Sequence, residues 1–264
     1  MTVISSSANR YVRLYRSLDK RKARKDQGLL PLEGSRLVTE AVGSGLGLKV
    51  VLLHEGYDPG NFAVLEKLEQ KVPVQRVAAG LFAQIAHTDS PQGILAVAQH
   101  PAHCLQDVFL QSPSLLLVAD RLQDPGNLGT MVRSAAACGA SGAVLLPGTV
   151  DISNPKALRA TMGALFRLPV VEVALDELLA GIRRHGLRLM ASCAGGDLTY
   201  DRVDWRVPTA VVIGNEGAGV SEDVLSVVDS TVSVPMAGGV ESLNAAIAMS
   251  VIFFEAARQR RSQR

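Results

Sequence analysis

The sequence predicts an α/β protein of two domains, on three observations. From Gly28 to Gln99, short apolar runs alternate with helix-forming stretches, as in a small layered α/β domain. His100 to Ser114 breaks that alternation with two prolines and mixed polarity, the composition of an interdomain connection. The last fifth of the chain then makes two passes of one design: a β-branched run (Ala210 to Ile213, then Thr231 to Val234) ends in a glycine-rich loop that feeds a helix. In open α/β sheets such strand-to-loop junctions are where ligands bind. With 264 residues, 47% of them hydrophobic, the chain can bury the cores this requires. The expected divisions are a basic helical segment (1–27), a first α/β domain (28–100), a linker (101–113) and a second domain (114–264).

The basic segment holds most of the local charge imbalance. Arg10, Arg13, Arg16, Lys20, Arg21, Lys22, Arg24 and Lys25 face only Asp19 and Asp26, while the whole chain carries just +2. Any nucleic-acid surface is therefore local. Tyr11, Leu14, Tyr15 and Leu18 fall at helical spacing and would dock the segment, leaving Arg10, Arg13 and Arg16 in series on a neighbouring face. Clustered cations with interleaved tyrosines suit RNA phosphate contact and base stacking; the alternative is a solvated charged helix.

The first domain reads strand Leu29–Leu32, helix Ser35–Val42, strand Val50–Leu53, helix Phe62–Glu69, strand Val74–Val77, helix Ala79–Ala86 and strand Ile94–Ala98. Beyond the linker, Leu115–Ala119 is a buried-type strand ending at Asp120-Arg121. Asp124 or Asn127 can cap the helix that follows, and Gly139 ends it. After Ser242 the pattern is apolar nearly all round to Phe254, so that helix lies in a core or against a second subunit. At 12 residues, Leu243–Phe254 is too short to cross a bilayer.

Several functions are excluded or left without support. Cys104, Cys138 and Cys193 lie far apart with no C-x-x-C spacing, and His100 and His103 lack further ligands, so a reduced chain without a metal site is expected. The N-terminus has no apolar signal core, and the reading is a soluble cytoplasmic protein with no membrane partner. No G-x-x-x-x-G-K-[ST] occurs, and Gly214, Gly217 and Gly219 are not in dinucleotide-binding order.

The polar residues inside the glycine loops point to chemistry: Asn215 and Glu216 in the first, Glu241, Ser242 and Asn244 around the second. Glu216 is a carboxylate that either holds Arg133 in place or caps a helix. Arg133 is the one long cation in the helix after Asn127.

The chain resembles the SpoU/TrmH branch of the SPOUT methyltransferases. The residues that carry the resemblance, in order, are N-x-G-x-x-x-R-x-A-x-x-x-G at Asn127, Gly129, Arg133 and Gly139; the segment with Arg159, Thr161 and Gly163; I-G-N-E-G-x-G-x-S from Ile213; and V-P-M-x-G-x-x-E-S-L-N from Val234. L-E-G-x-R-L-V-x-E-A from Leu32 resembles the ribosomal-protein-like RNA-binding domain that many of these enzymes carry first. The resemblance implies methyl transfer from S-adenosyl-L-methionine to a ribose 2′-hydroxyl of RNA, ribosomal more than transfer RNA, by a homodimer with a deep trefoil knot in its second domain. It also implies site residues. Asn127, Arg133, Glu216, Ser242 and Asn244 would be catalytic, with Arg133 binding a phosphate and orienting the hydroxyl, since a guanidinium is a poor base. Val212, Ile213, Gly214, Asn215, Gly219, Val234, Pro235, Met236, Ser242, Leu243 and Asn244 would hold the cofactor. Arg10, Arg13, Arg16, Arg21, Lys22, Arg24 and Arg159 would meet RNA. A non-catalytic RNA-binding module would lack Asn127, Arg133, Glu216 or Asn244, and an enzyme acting on protein or small molecules has no need of the basic segment.

Overall fold

The computed structural model describes residues 3–58 and 71–262, in two compact units. The expected helix Phe62–Glu69 lies outside the described residues.

The first unit opens with α1 (Arg10–Ser17), where Asn9 caps the helix by accepting from the Tyr11 amide, and α2 (Arg21–Gln27), ended by Gly28 in the left-handed region. Then follow β1 (Leu29–Glu33), α3 (Ser35–Gly43), β2 (Leu48–His54), β3 (Val74–Val77), α4 (Ala79–Ile85) and β4 (Ile94–Gln99). The sheet order is β1-β4-β2-β3; β4 runs antiparallel to both neighbours, and β2 and β3 are parallel. Val12, Tyr15 and Leu18 pack with Leu52, Val97 and Phe82 in its core. This revises the docking face: Tyr15 and Leu18 are buried, as is Val12, whereas Tyr11 and Leu14 are half-buried flankers.

The second unit begins before the expected boundary. A 3-10 turn at Leu105–Phe109 buries Val108 and Phe109 in the second core, so residues 102–113 are not a free connection. Two glycines make room for this turn: a Cβ on Gly142 would lie 2.6 Å from Val108, and one on Gly181 2.7 Å from Phe109. Next come β5 (Leu115–Ala119), α5 (Pro125–Ala137) and β6 (Gly142–Leu145). Residues 153–166, with α6 (Pro155–Thr161), leave this unit and pack in the first. There Arg24 donates to Ser153 Oγ at 2.8 Å, and Gly163 lies so close to Glu40 that an added Cβ would be 2.5 Å from its Cβ. The second unit resumes with β7 (Val170–Glu172), α7 (Leu175–His185), β8 (Arg188–Ser192), β9 (Leu198–Thr199), β10 (Thr209–Ile213), α8 (Glu222–Leu225), β11 (Ser230–Ser233) and α9 (Ala245–Arg261).

Its seven strands stand in the order β7-β6-β5-β10-β8-β11-β9, every pair parallel. β5 (LLLVA) and β10 (TAVVI) are buried along their whole length, the near-continuous apolar composition that a parallel strand covered on both faces requires. Their adjacency matters for the site. β10 pairs with β5 across about 90 residues of sequence, Val212 opposite Val118, and puts the loops after both strands side by side at one edge. No helix among the described residues is long and apolar enough to cross a membrane.

Candidate active site

The site is built where β5, β10 and β11 end. The loop after β10 folds on itself: Asn215 and Gly219 exchange backbone hydrogen bonds of 3.0 and 2.9 Å. Asn215 Oδ1 accepts from the Gly217 and Ala218 amides, and its Nδ2 donates to the Arg121 carbonyl at 3.0 Å. The Asn215 side chain is thus engaged within its own loop and leaves a cofactor the backbone of this residue. Gly214 has the same explanation: a Cβ there would sit 2.2 Å from Val220 N and 2.3 Å from Gly219 C, so the loop closes only on glycine. Asp120, buried after β5, accepts from the Ser221 amide at 2.7 Å and ties the far end of the loop down.

Glu216 reaches out of this loop to the start of α5. Its Oε2 accepts from the Gln123 amide (3.1 Å), and its Oε1 from the Asp124 amide (3.1 Å) and Asn127 Nδ2 (3.0 Å). Burial pushes this carboxyl up, but the donated bonds from Asn127, Gln123 and Asp124 outweigh it and hold the pKa below the ordinary value. The helix start favours the anion further. Asp124 supplies the N-cap by accepting from the Asn127 amide at 2.8 Å, and Pro125 needs no partner at the first helical position. The expected pairing of Glu216 with Arg133 is not made. Arg133 lies six residues beyond Asn127, about 240° around the helix, and stands exposed with no hydrogen bond or ion pair among the described residues.

Asn244 Nδ2 donates to Asn127 Oδ1 at 3.0 Å, while its own Oδ1 caps α9 by accepting from Ala246 and Ile247. An unbroken chain of bonds therefore runs Asn244–Asn127–Glu216 and joins three stretches far apart in sequence. Ser134 and Ser250, bonded at 2.9 Å, pin α5 to α9 further along. An open groove of about 390 Å³ lies between the two helices, lined by Asn127, Thr130, Asn244, Ile247, Val251 and Phe254.

The loop after β11 is different. From Pro235 to Leu243 every residue is exposed, Gly238 and Gly239 take positive φ, and the bonds that begin again at Asn244 belong to α9. Met236 and Leu243 stand 36% and 37% exposed. Val234 is half-buried, and Ser242 makes no side-chain hydrogen bond among the described residues, so it is not joined to the asparagine chain. Val212 and Ile213 are buried within β10 and can offer a ligand only backbone, and Gly219 turns the first loop at φ 71°.

In the first unit, Arg10, Arg13, Arg16, Arg21 and Lys22 are exposed as a phosphate-contact role needs. Arg24 is not: it is 4% exposed and donates to the Leu18 and Asp19 carbonyls as well as Ser153, so it is corrected to a structural residue. Stacking by Tyr15 is excluded by its complete burial, while Tyr11 carries the Arg10 guanidinium over its ring at 4.5 Å. Arg159 is half-buried, with Nη1 3.7 Å from Glu33 Oε2. Sequence reasoning missed Gln123, whose side chain bridges the Arg121 and Gly148 carbonyls; nothing in the spacing of that glutamine signalled it.

Residues 114–254 match the SpoU rRNA Methylase family, and residues 9–96 match the MRM3-like substrate binding domain. The 23S rRNA (guanosine(2553)-2′-O)-methyltransferase of Bacillus subtilis is 31% identical over 96% of this chain and 98% of its own. The 23S rRNA (uridine(2479)-2′-O)-methyltransferase of Streptomyces viridochromogenes is 32% identical over 99% and 93%. Among solved structures, the SpoU methyltransferase AviRb of Streptomyces viridochromogenes in complex with AdoMet superposes with a TM-score of 0.86 at 32% identity, covering 97% of this chain and all of that one. The chain belongs to the SpoU rRNA methylase family, RNA 2′-O-methyltransferases that use S-adenosylmethionine.

Proposed function

We propose that this protein methylates a ribose 2′-hydroxyl of 23S ribosomal RNA in the cytoplasm, with Asn127, Arg133, Glu216 and Asn244 as its working residues. The observation that carries the proposal is the Asn244–Asn127–Glu216 chain of hydrogen bonds, which fixes two polar side chains beside the groove between α5 and α9. The two relatives act on different bases, guanosine and uridine, which suits a site directed at the ribose that all nucleotides share.

The residues present fit S-adenosylmethionine. The loop from Pro235 to Leu243 offers exposed backbone and the apolar faces of Met236 and Leu243, while the loop Gly214–Gly219, at the end of another strand of the same sheet, is held by its own hydrogen bonds. When bound, that cofactor supplies an electrophilic methyl group. Asn127 and Asn244 hold the hydroxyl-bearing sugar by side-chain amides already oriented by their neighbours, so little ordering remains at the moment of reaction. Arg133, exposed and without an internal partner, binds an RNA phosphate and stays protonated; the proton of the hydroxyl passes to phosphate or water.

A second copy of the chain belongs to this reading. Ile247 and Phe254 are 54% and 50% exposed on α9, and an apolar strip beside the catalytic asparagines suits a homodimer whose partner closes the groove. The deep trefoil knot belongs to it as well, as the family membership implies. Arg10, Arg13, Arg16, Arg21 and Lys22 would carry the RNA backbone, with Arg159 held toward Glu33 in support.

The test is methyl transfer from labelled S-adenosylmethionine to a 23S transcript by the purified chain and by Arg133→Ala. The variant should lose more than about 100-fold in kcat with cofactor affinity unchanged. A large loss of cofactor affinity would remove Arg133 from the RNA side of the site.

A further inference from the structure

Arg121 occupies a position that its side chain makes expensive. It is one of two non-glycine residues with positive φ among those described, at 56°. The other, Met162, ends helix α6, where a left-handed residue is ordinary. Arg121 ends no helix: it stands between β5 and α5, at the sheet edge that carries the candidate site. Glycine would adopt this conformation with less strain, so the backbone cost at this position asks what the arginine side chain does.

The surroundings hold that backbone from every side. The Arg121 amide donates to Thr149 Oγ1 at 3.0 Å. Its carbonyl accepts from Gln123 Nε2 and from Asn215 Nδ2, both at 3.0 Å. The side-chain stem lies over Gly148, where an added Cβ would be 3.1 Å from Arg121 Cγ. Its position is thus tied to Asn215 in the first loop and to Gln123, whose amide binds Glu216. The head of the side chain is much freer. It is 44% exposed, and its one ionic neighbour is Asp120, 3.6 Å from Nε; the two terminal nitrogens have no partner among the described residues. A guanidinium whose stem is clamped and whose fork is open is built to grip an oxyanion bidentately.

Resting on the proposed activity, the geometry points to Arg121 as a residue that binds a phosphate of the RNA substrate at the rim of the site. The anion it receives is an RNA phosphate and not the carboxylate of the cofactor, because its stem lies over Gly148, in the loop after β6, and β6 stands on the other side of β5 from β11, whose loop is Pro235–Leu243.

The experiment compares the full-length protein with Arg121→Gly, Arg121→Gln and Arg121→Lys, on a 23S ribosomal RNA transcript. Wild-type turnover is measured first, and its absence would overturn the proposed activity and not this assignment. With wild type active, Arg121→Gly should melt about 2–4 °C higher as the backbone strain is relieved. It should also raise KM for RNA about tenfold, the loss of one charge-assisted contact. kcat should stay within about twofold and the cofactor Kd unchanged, and the slope of log affinity against log salt should fall by about 0.7–0.9. Arg121→Gln, which keeps the strain and loses the charge, should match the glycine variant in KM without its gain in melting temperature. Arg121→Lys should recover part of the affinity. An unchanged KM in both Gly and Gln variants would overturn the assignment, as would a weakened cofactor Kd, which would place the cofactor carboxylate at Arg121. A fall in melting temperature in both would mean that the side chain serves Asp120 inside the fold.

Discussion

The loops after β10 and β11 share one design in sequence, a β-branched strand running into glycines with polar residues among them, and the fold holds them in opposite ways. The first is cross-bonded through Asn215, anchored by Asp120 and joined by Glu216 to the start of α5. The second is exposed from Pro235 to Leu243 until Asn244 caps α9. One loop is framework and the other is open surface. Glycine content alone cannot separate the two roles, because Gly214 is required by the loop's own backbone while a Cβ added to Gly238 or Gly239 would meet nothing within 4 Å.

Alanine at these glycines gives the sharpest contrast. Gly214→Ala forces a Cβ into the backbone at Gly219 and Val220 and should cost about 3 kcal/mol or more, with methyl transfer abolished; thermal melting and an activity assay check both. A Gly214→Ala variant that melts like wild type would contradict the closed loop.

Next in size is Glu216→Ala, which strips the Gln123 and Asp124 amides and Asn127 of their shared acceptor. Each orphaned group costs about 1–3 kcal/mol where it stays dry, and less here because the carboxylate is exposed to solvent. Turnover should fall more than about 100-fold in a protein that is still folded, as circular dichroism and single-turnover kinetics would show. Activity close to wild type would make the bond chain a packing feature with no part in the reaction.

A smaller effect belongs to the first unit and serves as the control region. His87 binds Asp19 at 2.8 Å through Nε2, with Glu33 and Tyr15 on its other nitrogen. The Glu33 hydrogen bond raises its pKa against the opposing effect of burial, with Asp19 adding to the rise. Burial pushes Glu33 up, but its bonds from His87 and Thr88 and the Arg159 charge bring it down to about 2. A raised histidine stabilises the fold below its ordinary value of about 6.5 and loses that contribution as pH rises through the raised one. A lowered carboxylate does the reverse, stabilising above about 4.5 and failing as pH falls toward 2. Melting temperature should therefore decline as pH rises past about 6.5, and His87→Gln should flatten that limb while leaving the cofactor Kd alone. Dependence of cofactor affinity on His87 would contradict the separation of roles.

The smallest effect is expected at Gly238→Ala. Only the left-handed φ of 71° is penalised, about 1–2 kcal/mol, since no atom obstructs the new Cβ. A loss as large as that at Gly214 would erase the distinction between the loops.

Most strands and helices were legible, because their apolar periods are local: β3 matches its expected range residue for residue, and β1, α4 and β4 end within one residue of theirs. The motif residues were legible too, but not their partners. Glu216 could be placed in a glycine loop, yet whether it faced Arg133 or the start of α5 depends on pairing β10 with β5 across some 90 residues, which no local period encodes. Arg24 looked like its exposed neighbours until Ser153, 129 residues away, proved to be its partner. Val108 and Phe109 were hidden by the prolines around them, and the excursion of residues 153–166 into the first unit left no mark in composition.

Mapping 2′-O-methyl groups in the ribosomal RNA of cells with the gene, without it, and complemented by wild type or by Arg133→Ala tests the proposed activity most directly. One position in 23S ribosomal RNA should lose its methyl group on deletion, recover it with wild type and stay bare with Arg133→Ala. An unchanged ribosomal map, or full recovery by the alanine variant, would contradict it.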